Sequence, residues 1–374
     1  MKITGIETIP IRVPLKPEVA IRSGRGGSHD VSPFLLVKVL TDAGLIGLGE
    51  ASCTPRWSGE DQVTGAHLIR RYLAPLLTGE NPLDPEALAP KFRLAFAGNY
   101  FTRAAVEMAL WDIAGKAAGK PVYDLLGGKV RPSVATKWSV SGVAPERAAD
   151  IAWRAQAQGF KAMKVKVGIE PNEDVARVHA VREAVGPALK LGVDANGGWS
   201  PEVAIQTIAR LREASIVFVE QPVPPEDVLA LVEVRKKAGV PVIADESLYT
   251  LQDARILAHL GAADVFSIYL GKAGGIGPAR RIAAFAESKG IKATLGSNLE
   301  LGVGSAAMVH LALACRAIAA EEFPCDIIGP FYYQDDIVRD PLLISPGQAS
   351  ATERPGLGVE LDEEKVERYR VKLP

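Results

Sequence analysis

The amino-acid sequence predicts an α/β protein whose larger part is a TIM-type barrel of parallel strands, preceded by a small α+β domain. From about residue 133, a short apolar segment, a turn containing glycine or proline and an amphipathic helix alternate seven or eight times. Charged residues recur at the ends of the apolar segments, at intervals close to the length of one βα unit. An open doubly wound sheet is the alternative fold, and the barrel explains the repeats better.

The first 125 residues differ from the rest of the chain. Alternating apolar residues predict a small antiparallel sheet from MKITGIETIPIRVPL and a hairpin around Asp42, Ala43 and Gly44. Two helices follow, DQVTGAHLIRRYLAPLL and NYFTRAAVEMALWDIAGKAAG. We expect an α+β domain over 1–125, a barrel over 126–339, and a C-terminal segment over 340–374 that packs on the first domain.

Seven strands and a weaker eighth are predicted for the barrel. They are VATKWSV, GFKAMKVKV, LKLGVDA, IVFVEQPV, VPVIADES, ADVFSIYLG, GIKATLGS and, near the eighth position, AIAAEEFPC. A TIM-type barrel carries its chemistry at the carboxyl ends of its strands. From the second to the seventh strand, those ends carry Lys164, Lys166, Asp194, Asn196, Glu220, Asp245, Glu246, Lys272, Asn298 and Glu300. One such residue is often only a helix cap or a solvated charge, but six strand ends in register predict a functional site.

Three of these residues predict a metal site. Asp194, Glu220 and Asp245 follow three consecutive strands and are expected to converge. Three converging carboxylates repel one another unless a cation lies between them. Because hard oxygen ligands favour Mg²⁺, we predict Mg²⁺ as the cofactor, with Mn²⁺ as a substitute.

Two lysines predict acid/base chemistry. Lys166 and Lys272, on the second and sixth strands, are expected on opposite sides of the barrel mouth. Two ammonium groups near each other and near a divalent cation are expected to have lowered pKa values, so that one is neutral and acts as a base. This arrangement suits removal of a proton next to a carboxylate, because the metal takes the charge of the resulting enediolate.

An ordered set of short motifs resembles the enolase superfamily over essentially the whole chain. The motifs are GLGEAS, KVK, VDANGGW, VEQP, ADES and GKAGG. The lysine of GKAGG resembles the muconate lactonizing enzyme subgroup within the mandelate racemase/muconate lactonizing enzyme family. The resemblance implies an N-terminal capping domain on a modified (β/α)7β barrel, Mg²⁺ on the three carboxylates, acid/base lysines at 166 and 272, and Lys164 near the substrate carboxylate.

In this family, loops of the capping domain largely determine substrate specificity. Two segments of this chain are candidates for such loops. IRSGRGGSHD is rich in glycine, and its Arg22 or Arg25 is a candidate partner for a second substrate carboxylate. CTPRWSGED offers Trp57 as an apolar wall. For both, an ordinary surface loop is the alternative. Glu300 is expected to orient Lys272 or to contact substrate, with a buried ion pair as the alternative.

The resemblance implies several activities. A muconate-type cycloisomerase comes first, because CDIIGPFYYQDDIV resembles the muconate-type end of the barrel. Racemases of N-acylamino acids, dipeptide epimerases and o-succinylbenzoate synthases are alternatives. Dipeptide epimerases carry an Asp-x-Asp signature near the eighth strand, and this chain has Asp326 followed by Ile328 at the second position. A Schiff-base aldolase and a non-catalytic binding barrel are less favoured, because neither explains the three acidic strand ends together with both lysines.

The composition limits the partners. Lys and Arg total 43 against 44 for Asp and Glu, which argues against binding to nucleic acid. No segment has the roughly 18 uninterrupted apolar residues of a membrane helix, and MKITGIETIPIRVPL lacks the apolar core of a signal peptide. With three scattered cysteines, these features predict a cytoplasmic protein. The strand-end residues and the family resemblance imply a small-molecule carboxylate as its substrate. The family resemblance adds the expectation of a homo-oligomer.

Overall fold

An antiparallel sheet of three strands opens the chain. The computed structural model describes residues 1–19, 22–23 and 30–374. The strands are β1 (Ile3–Pro14), β2 (Val31–Thr41) and β3 (Ile46–Ser52). The predicted hairpin joins β2 to β3 and turns at Gly44, whose φ of 77° is the left-handed conformation that glycine adopts easily.

Among the described residues, five α-helices complete this first part. They are α1 (Gln62–Leu68), α2 (Ala74–Leu77), α3 (Ala89–Ala95), α4 (Tyr100–Ala118) and α5 (Val122–Leu125). A π-helical turn joins α1 to α2, and α4 ends at Gly119 as predicted. The second glycine of the GLGEAS motif, Gly49, lies directly against α4, and a Cβ atom there would overlap the carbonyl group of Ala105. The motif therefore allows the sheet to pack closely on the helix.

Seven parallel strands form the central sheet of the larger part. In chain order and in spatial order they are β5 (Trp138–Val140), β6 (Ala162–Lys166), β7 (Lys190–Asp194), β8 (Val219–Glu220), β9 (Val242–Ala244), β10 (Val265–Ile268) and β11 (Lys292–Leu295). The short β4 (Val134–Ala135) precedes them. Apolar residues dominate these strands because both faces of the sheet are buried.

Helices connect the strands of this sheet, as the repeat pattern predicts. They are α6 (Pro145–Gln158), α7 (Pro171–Val185), α8 (Pro201–Arg210), α9 (Val228–Ala238), α10 (Leu251–Leu260), α11 (Leu270–Ala273), α12 (Ile276–Ser288) and α13 (Gly302–Ala314). Side chains of Glu170, Ser200, Asp227 and Thr250 accept hydrogen bonds at the N-termini of α7 to α10. These caps stabilise the ends of the helices beside the strand termini.

The predicted eighth strand differs from the expectation. Residues 317–326 form isolated parallel bridges, Ile318 with Ala293 and Cys325 with Thr136, in place of a regular strand. Between the two bridges the chain makes a turn, in which the amides of Glu322 and Phe323 donate to the Ala319 carbonyl oxygen in place of a neighbouring strand. The two bridges nevertheless connect this segment to β11 and to the chain next to β5.

The C-terminal segment contacts both parts of the protein. It contains α14 (Gly329–Tyr332), β12 (Leu343–Ser345), β13 (Gln348–Ser350) and α15 (Glu363–Tyr369). β13 pairs with β4, and an isolated bridge joins Arg370 to Ile11 of β1. Among the described residues, no helix has both the length and the apolar character needed to cross a membrane.

Two buried carboxylates of the first part bind the N-termini of helices in the second. Glu50 of β3 accepts hydrogen bonds from the amides of Leu301 and Gly304 at the start of α13. Glu107 of α4 accepts hydrogen bonds from the first two amides of α12. A carboxylate at a helix N-terminus satisfies amides that have no partner within the helix. These contacts fix the first part over the carboxyl ends of the strands.

Candidate active site

Four charged residues lie at adjacent strand ends. Lys166, the last residue of β6, pairs in register with Asp194, the last residue of β7, and Asp194 pairs with Glu220 of β8. Asp245 directly follows β9. The three carboxylates are fully buried. The strand register thus brings Asp194, Glu220 and Asp245 to the same end of the sheet, as the spacing predicts.

Lys164 is the ammonium group at the centre of this cluster. Its Nζ atom lies 3.1 Å from both carboxylate oxygens of Glu220, 2.8 Å from Oδ2 of Asp326 and 3.3 Å from Oδ2 of Asp194. Burial disfavours its charge, but these three carboxylates outweigh that effect and hold the pKa of Lys164 well above its usual value. These carboxylates therefore favour the protonated, positively charged form of Lys164.

Lys166 lies nearer to solvent. Its Nζ atom donates to Oδ2 of Asp194 at 2.7 Å and to Oδ1 of Asn196 at 2.9 Å. Asn196 has a φ of 45° and also donates from Nδ2 to Glu246 at 2.9 Å. The side chain of Lys166 is 12% exposed, whereas that of Lys164 is 3% exposed, so Lys166 is the less buried of the two lysines of β6.

The carboxylates of the site differ in their tendency to ionise. Burial raises the pKa of Glu220 to about 8 against the opposing charge of Lys164, with the charges of Asp194 and Asp245 adding to the rise. Burial and the neighbouring Asp245 raise the pKa of Glu246 to about 7. Despite burial, Lys166 and Lys164 lower the pKa of Asp194 to about 2. Glu220 and Glu246 therefore favour the protonated form more than an ordinary glutamate does, whereas Asp194 favours the ionised form.

The donor set fits a hard divalent cation. Among residues 1–19, 22–23 and 30–374, no three His, Cys, Asp or Glu side chains stand around one point as a formed metal centre. The ammonium group of Lys164 instead lies between Glu220 and Asp194. A cationic group bound by two buried strand-end carboxylates shows that this position favours positive charge, and three such oxygen donors suit Mg²⁺.

The sequence prediction placed Lys272 at the end of the sixth strand, and this placement is wrong. β10 ends at Ile268, and Lys272 lies one turn later in α11. Tyr269 occupies the strand-end position and donates a hydrogen bond from its hydroxyl group to Oδ2 of Asp245 at 2.9 Å. The interval between strand ends varies by several residues, so spacing alone did not distinguish positions 269 and 272.

Lys272 reaches back toward the site but is completely covered. Its ammonium group bonds Oδ1 of Asp245, the Asp245 carbonyl oxygen at 2.6 Å and the Ser267 carbonyl oxygen at 3.2 Å. The side chain is 1% exposed. Lys166 and Lys272, for which the sequence predicts equivalent roles, therefore differ in burial.

Sequence reasoning also missed Lys137. This buried lysine precedes β5, donates to the carbonyl oxygen of Pro324 at 2.5 Å and lies 3.2 Å from Oδ1 of Asp326. Asp326 in turn binds Lys164. Lys137 lies within the apolar segment VATKWSV, just as Lys164 lies within an apolar predicted strand. The same pattern could therefore have identified Lys137 from the sequence.

The end of the seventh strand contributes a local hydrogen-bond network. Glu300 accepts from Ser297 Oγ at 2.5 Å and from the amide of Asn298 at 3.1 Å. Asn298 also donates from Nδ2 to Thr54 of the first part. Burial raises the pKa of Glu300. The ammonium group of Lys272 bonds to Asp245 and Ser267 in this structure, and contact of Glu300 with substrate stays a prediction.

Of the predicted substrate-binding loop residues, the structure brings Trp57 to the site. Its indole ring stacks on Tyr269 with 5.1 Å between ring centroids and an interplanar angle of 16°. The backbone of Arg22 pairs with Ser141 and Gly142, just after β5. Arg25 lies outside the described residues, so its predicted contact with substrate stays a prediction.

The fold and the site define a class: an α/β protein with an N-terminal α+β part fixed over a charged set of parallel strand ends. Residues 146–365 match the enolase C-terminal domain-like family, and residues 8–127 match the N-terminal domain family of mandelate racemase and muconate lactonizing enzyme. The chain belongs to the mandelate racemase/muconate lactonizing enzyme family of the enolase superfamily.

Several characterised proteins resemble the whole chain. The N-succinyl-L-Arg/Lys racemase of Bacillus cereus is 34% identical over 99% of this chain and 98% of its own length. Muconate cycloisomerase 1 of Rhodococcus opacus is 33% identical over the same shares. The crystal structure of a dipeptide epimerase from Enterococcus faecalis, complexed with Mg and L-Leu-L-Tyr, superposes with a TM-score of 0.91 at 31% identity and covers 96% of this chain and 100% of that one. These relatives are all isomerases.

Proposed function

We propose that this protein is an isomerase that removes or adds a proton on the carbon atom next to a substrate carboxylate, with Lys166 as the base. Lys166 is the lysine at the strand ends with access to the barrel mouth, and Asp194 and Asn196 hold its ammonium group in a defined position. A base that is both oriented and accessible is the requirement for this chemistry. The family of isomerases to which the chain belongs supports the same conclusion.

Mg²⁺ is the proposed cofactor, held by Asp194, Glu220 and Asp245. When bound, the ion supplies positive charge to the substrate carboxylate as negative charge develops on it. Lys164 adds a second positive charge next to Glu220 and Asp194, and it is a candidate partner for a substrate carboxylate oxygen. Asn196 and Glu246 connect the base to the edge of the carboxylate cluster.

The barrel architecture is part of the proposal. The two bridges of residues 317–326 suggest that this segment closes the curled seven-stranded sheet as an irregular eighth strand, giving a (β/α)7β barrel. In such a barrel, the second and sixth strands face each other across the mouth. Substrate bound between them is open to Lys166 on one side and to Tyr269 on the other.

Cycloisomerisation of the muconate type is the activity that the geometry favours. In this reaction a carboxylate oxygen adds to a carbon–carbon double bond, and one proton is delivered to the carbon next to the other carboxylate. A single acid/base group on one face is sufficient. The observation that favours cycloisomerisation is therefore the difference in burial between Lys166, 12% exposed, and Lys272, 1% exposed.

Racemisation or epimerisation of N-acylamino acids or dipeptides is the second candidate. It is favoured by the similarity to the N-succinyl-L-Arg/Lys racemase and the dipeptide epimerase. These reactions exchange a proton between the two faces of one carbon atom. They need a second proton-transfer group opposite Lys166, and Lys272 serves only if its cover opens.

Direct assays separate the two candidates. The protein with Mg²⁺ is incubated with cis,cis-muconate, and loss of the conjugated diene absorbance is followed while the lactone is identified by NMR. In parallel, N-succinyl-L-arginine and L-Ala-L-Glu are followed by chiral chromatography. Lactone formation without inversion supports the cycloisomerase. Inversion without lactone formation supports the second candidate. If the folded protein supplied with Mg²⁺ catalyses neither reaction, both candidates are contradicted.

A further inference from the structure

A cavity of about 280 Å³ lies between the first part of the protein and the helices that follow β9 and β10. Phe92 of α3 and Tyr100 of α4 line it on one side, and Leu251, Ala273 and Ile282 line it on the other. None of the strand-end carboxylates of the candidate active site is among the described residues that line this cavity. A concave site with an apolar lining and a few polar groups is typical of small-molecule binding.

Three arginines from both parts of the protein also line the cavity. Arg93 comes from α3, Arg103 from α4 and Arg281 from α12. Among the described residues, none of these three side chains forms an ion pair or a hydrogen bond with the protein. Arg93 and Arg281 are exposed and are solvated by water, whereas Arg103 is partly buried. The need for a bound partner is therefore greatest at Arg103.

Aromatic rings hold Arg103 in place of a hydrogen-bond acceptor. Its guanidinium carbon atom lies 5.1 Å from the ring centroid of Phe96 and 5.6 Å from that of Tyr100, within the range of cation–π contacts. Its Nε atom is buried and has no hydrogen-bond partner in the part of the chain that the structure describes. Burial lowers the pKa of Arg103, and the nearby charge of Arg93 adds to this effect, which Tyr100 and Glu60 oppose only in part. A bound anion would supply both an acceptor and a compensating charge.

The carboxylates that line the cavity compensate this positive charge only in part. Glu107 accepts hydrogen bonds from the amides of Ile276 and Gly277 and from Nε1 of Trp111, so both of its oxygen atoms are engaged. Burial raises its pKa to about 7 despite these bonds. Glu86 is exposed and forms no ion pair with an arginine of the described ranges. The cavity therefore has more cationic donors than acceptors to pair with them.

We propose that this cavity binds a small organic phosphate, with the phosphate group held by Arg103, Arg93 and Arg281. A planar guanidinium group matches the oxygen atoms of a phosphate in a bidentate arrangement. A phosphate monoester carries about −1.5 to −2 charges at neutral pH, which suits three cations better than the single charge of a carboxylate. The organic group packs on the apolar wall at Phe92 and Ile282. This inference goes beyond the proposed function and does not depend on it.

Calorimetric titration of the full chain with phenyl phosphate at constant ionic strength tests the proposal. We expect one site per chain, and we expect Arg103→Met to lower the affinity by about 10- to 100-fold, the factor that corresponds to loss of a hydrogen bond between charged groups. Binding should be the same with Mg²⁺ and with EDTA, because the proposed metal ligands do not line the cavity. Benzoate, which carries a carboxylate in place of the phosphate, should bind more weakly.

Matched variants keep the test decisive. Arg70→Met replaces an exposed arginine of the first part that does not line the cavity, and it should bind phenyl phosphate as the unmodified protein does. If Arg103→Met does not fold, Arg281→Met decides, because this exposed side chain lies on α12 at the opposite wall. Absence of binding to the unmodified protein, equal affinity in the cavity variants and in Arg70→Met, or equal affinity for benzoate overturns the inference. The isomerase assays are unaffected by these outcomes and test the proposed function separately.

Discussion

The ammonium group of Lys166 lies 2.7 Å from Oδ2 of Asp194, and the two residues pair in register at the ends of neighbouring parallel strands. A proposed base and a proposed metal ligand are therefore fixed relative to each other by backbone hydrogen bonds. This coupling explains how the site keeps its geometry although its side chains come from separate βα units.

Replacing Lys166 with alanine should abolish most of the activity. Without the accessible ammonium group, proton transfer loses its general acid/base, and we expect kcat to fall by about 10²- to 10⁴-fold. Circular dichroism checks that the variant is folded. Lys161→Ala is the matched control, because this exposed lysine lies on the same segment before β6. Equal loss in both variants, or normal turnover in Lys166→Ala, contradicts the assignment.

Replacing Glu220 with glutamine should weaken Mg²⁺ binding. Glutamine cannot ionise when Mg²⁺ binds, so it is a weaker ligand than the glutamate carboxylate. The loss in affinity should therefore be at least as large as the roughly 10- to 100-fold that follows loss of an outer-shell partner. Calorimetric titration with MgCl₂ measures it. Glu213→Gln, at an exposed position ahead of β8, is the control. The ligand assignment fails if the two variants bind Mg²⁺ equally well.

The side chain of Asn196 should affect turnover more than stability. Asn196→Gly keeps a backbone conformation that suits the φ of 45° and removes the partner of Lys166 and Glu246. Loss of a hydrogen bond to a charged group corresponds to about 1.5–3 kcal/mol, so kcat should fall by about 10- to 100-fold. The melting temperature should change little. An unchanged kcat with a lowered melting temperature would show a purely structural role.

Glu50 should make stability depend on pH. Burial raises the pKa of this carboxyl group from 4.5 to about 8, despite its bonds to the Gly304 and Leu301 amides. The folded state then binds more protons than the unfolded state between pH 4.5 and 8, so this contribution to stability falls as pH rises through that range. The change is at most about 1.4 kcal/mol for each pH unit.

Denaturant unfolding at several pH values tests this dependence. In Glu50→Gln the side chain at position 50 is neutral at every pH. From pH 5 to pH 8, the free energy of unfolding of the unmodified protein should therefore fall relative to that of the variant. Glu7→Gln, on the exposed side of β1, is the control and should show no such shift. Parallel curves for the unmodified protein and Glu50→Gln would contradict the raised pKa.

Much of the site follows from the sequence because strand ends repeat with the βα unit. Lys166, Asp194, Glu220 and Asp245 lie where regular spacing predicts them. Apolar strands between amphipathic helices predict the parallel sheet for the same reason: both faces are buried and must exclude polar side chains. The hairpin at Gly44 is equally local, since a turn of that length requires a particular backbone conformation.

Other features depend on contacts that spacing does not encode. A difference of three residues separates Tyr269 from Lys272, and only the point at which β10 ends decides which of them directly follows the strand. The pairing of Lys137 with Asp326 joins segments far apart in the chain. The irregular eighth segment contains a turn in which the amides of Glu322 and Phe323 donate to the Ala319 carbonyl oxygen, a local interruption that hydrophobic periodicity does not reveal.

Hydrogen exchange next to a substrate carboxylate tests the central claim most directly. The protein is incubated in D₂O with muconolactone, N-succinyl amino acids and dipeptides, with Mg²⁺ or with EDTA, and each mass is followed. The account predicts a gain of deuterium in at least one of these substrates that requires Mg²⁺ and disappears in Lys166→Ala. Exchange that persists with EDTA or in that variant, or no exchange in any substrate, would contradict it.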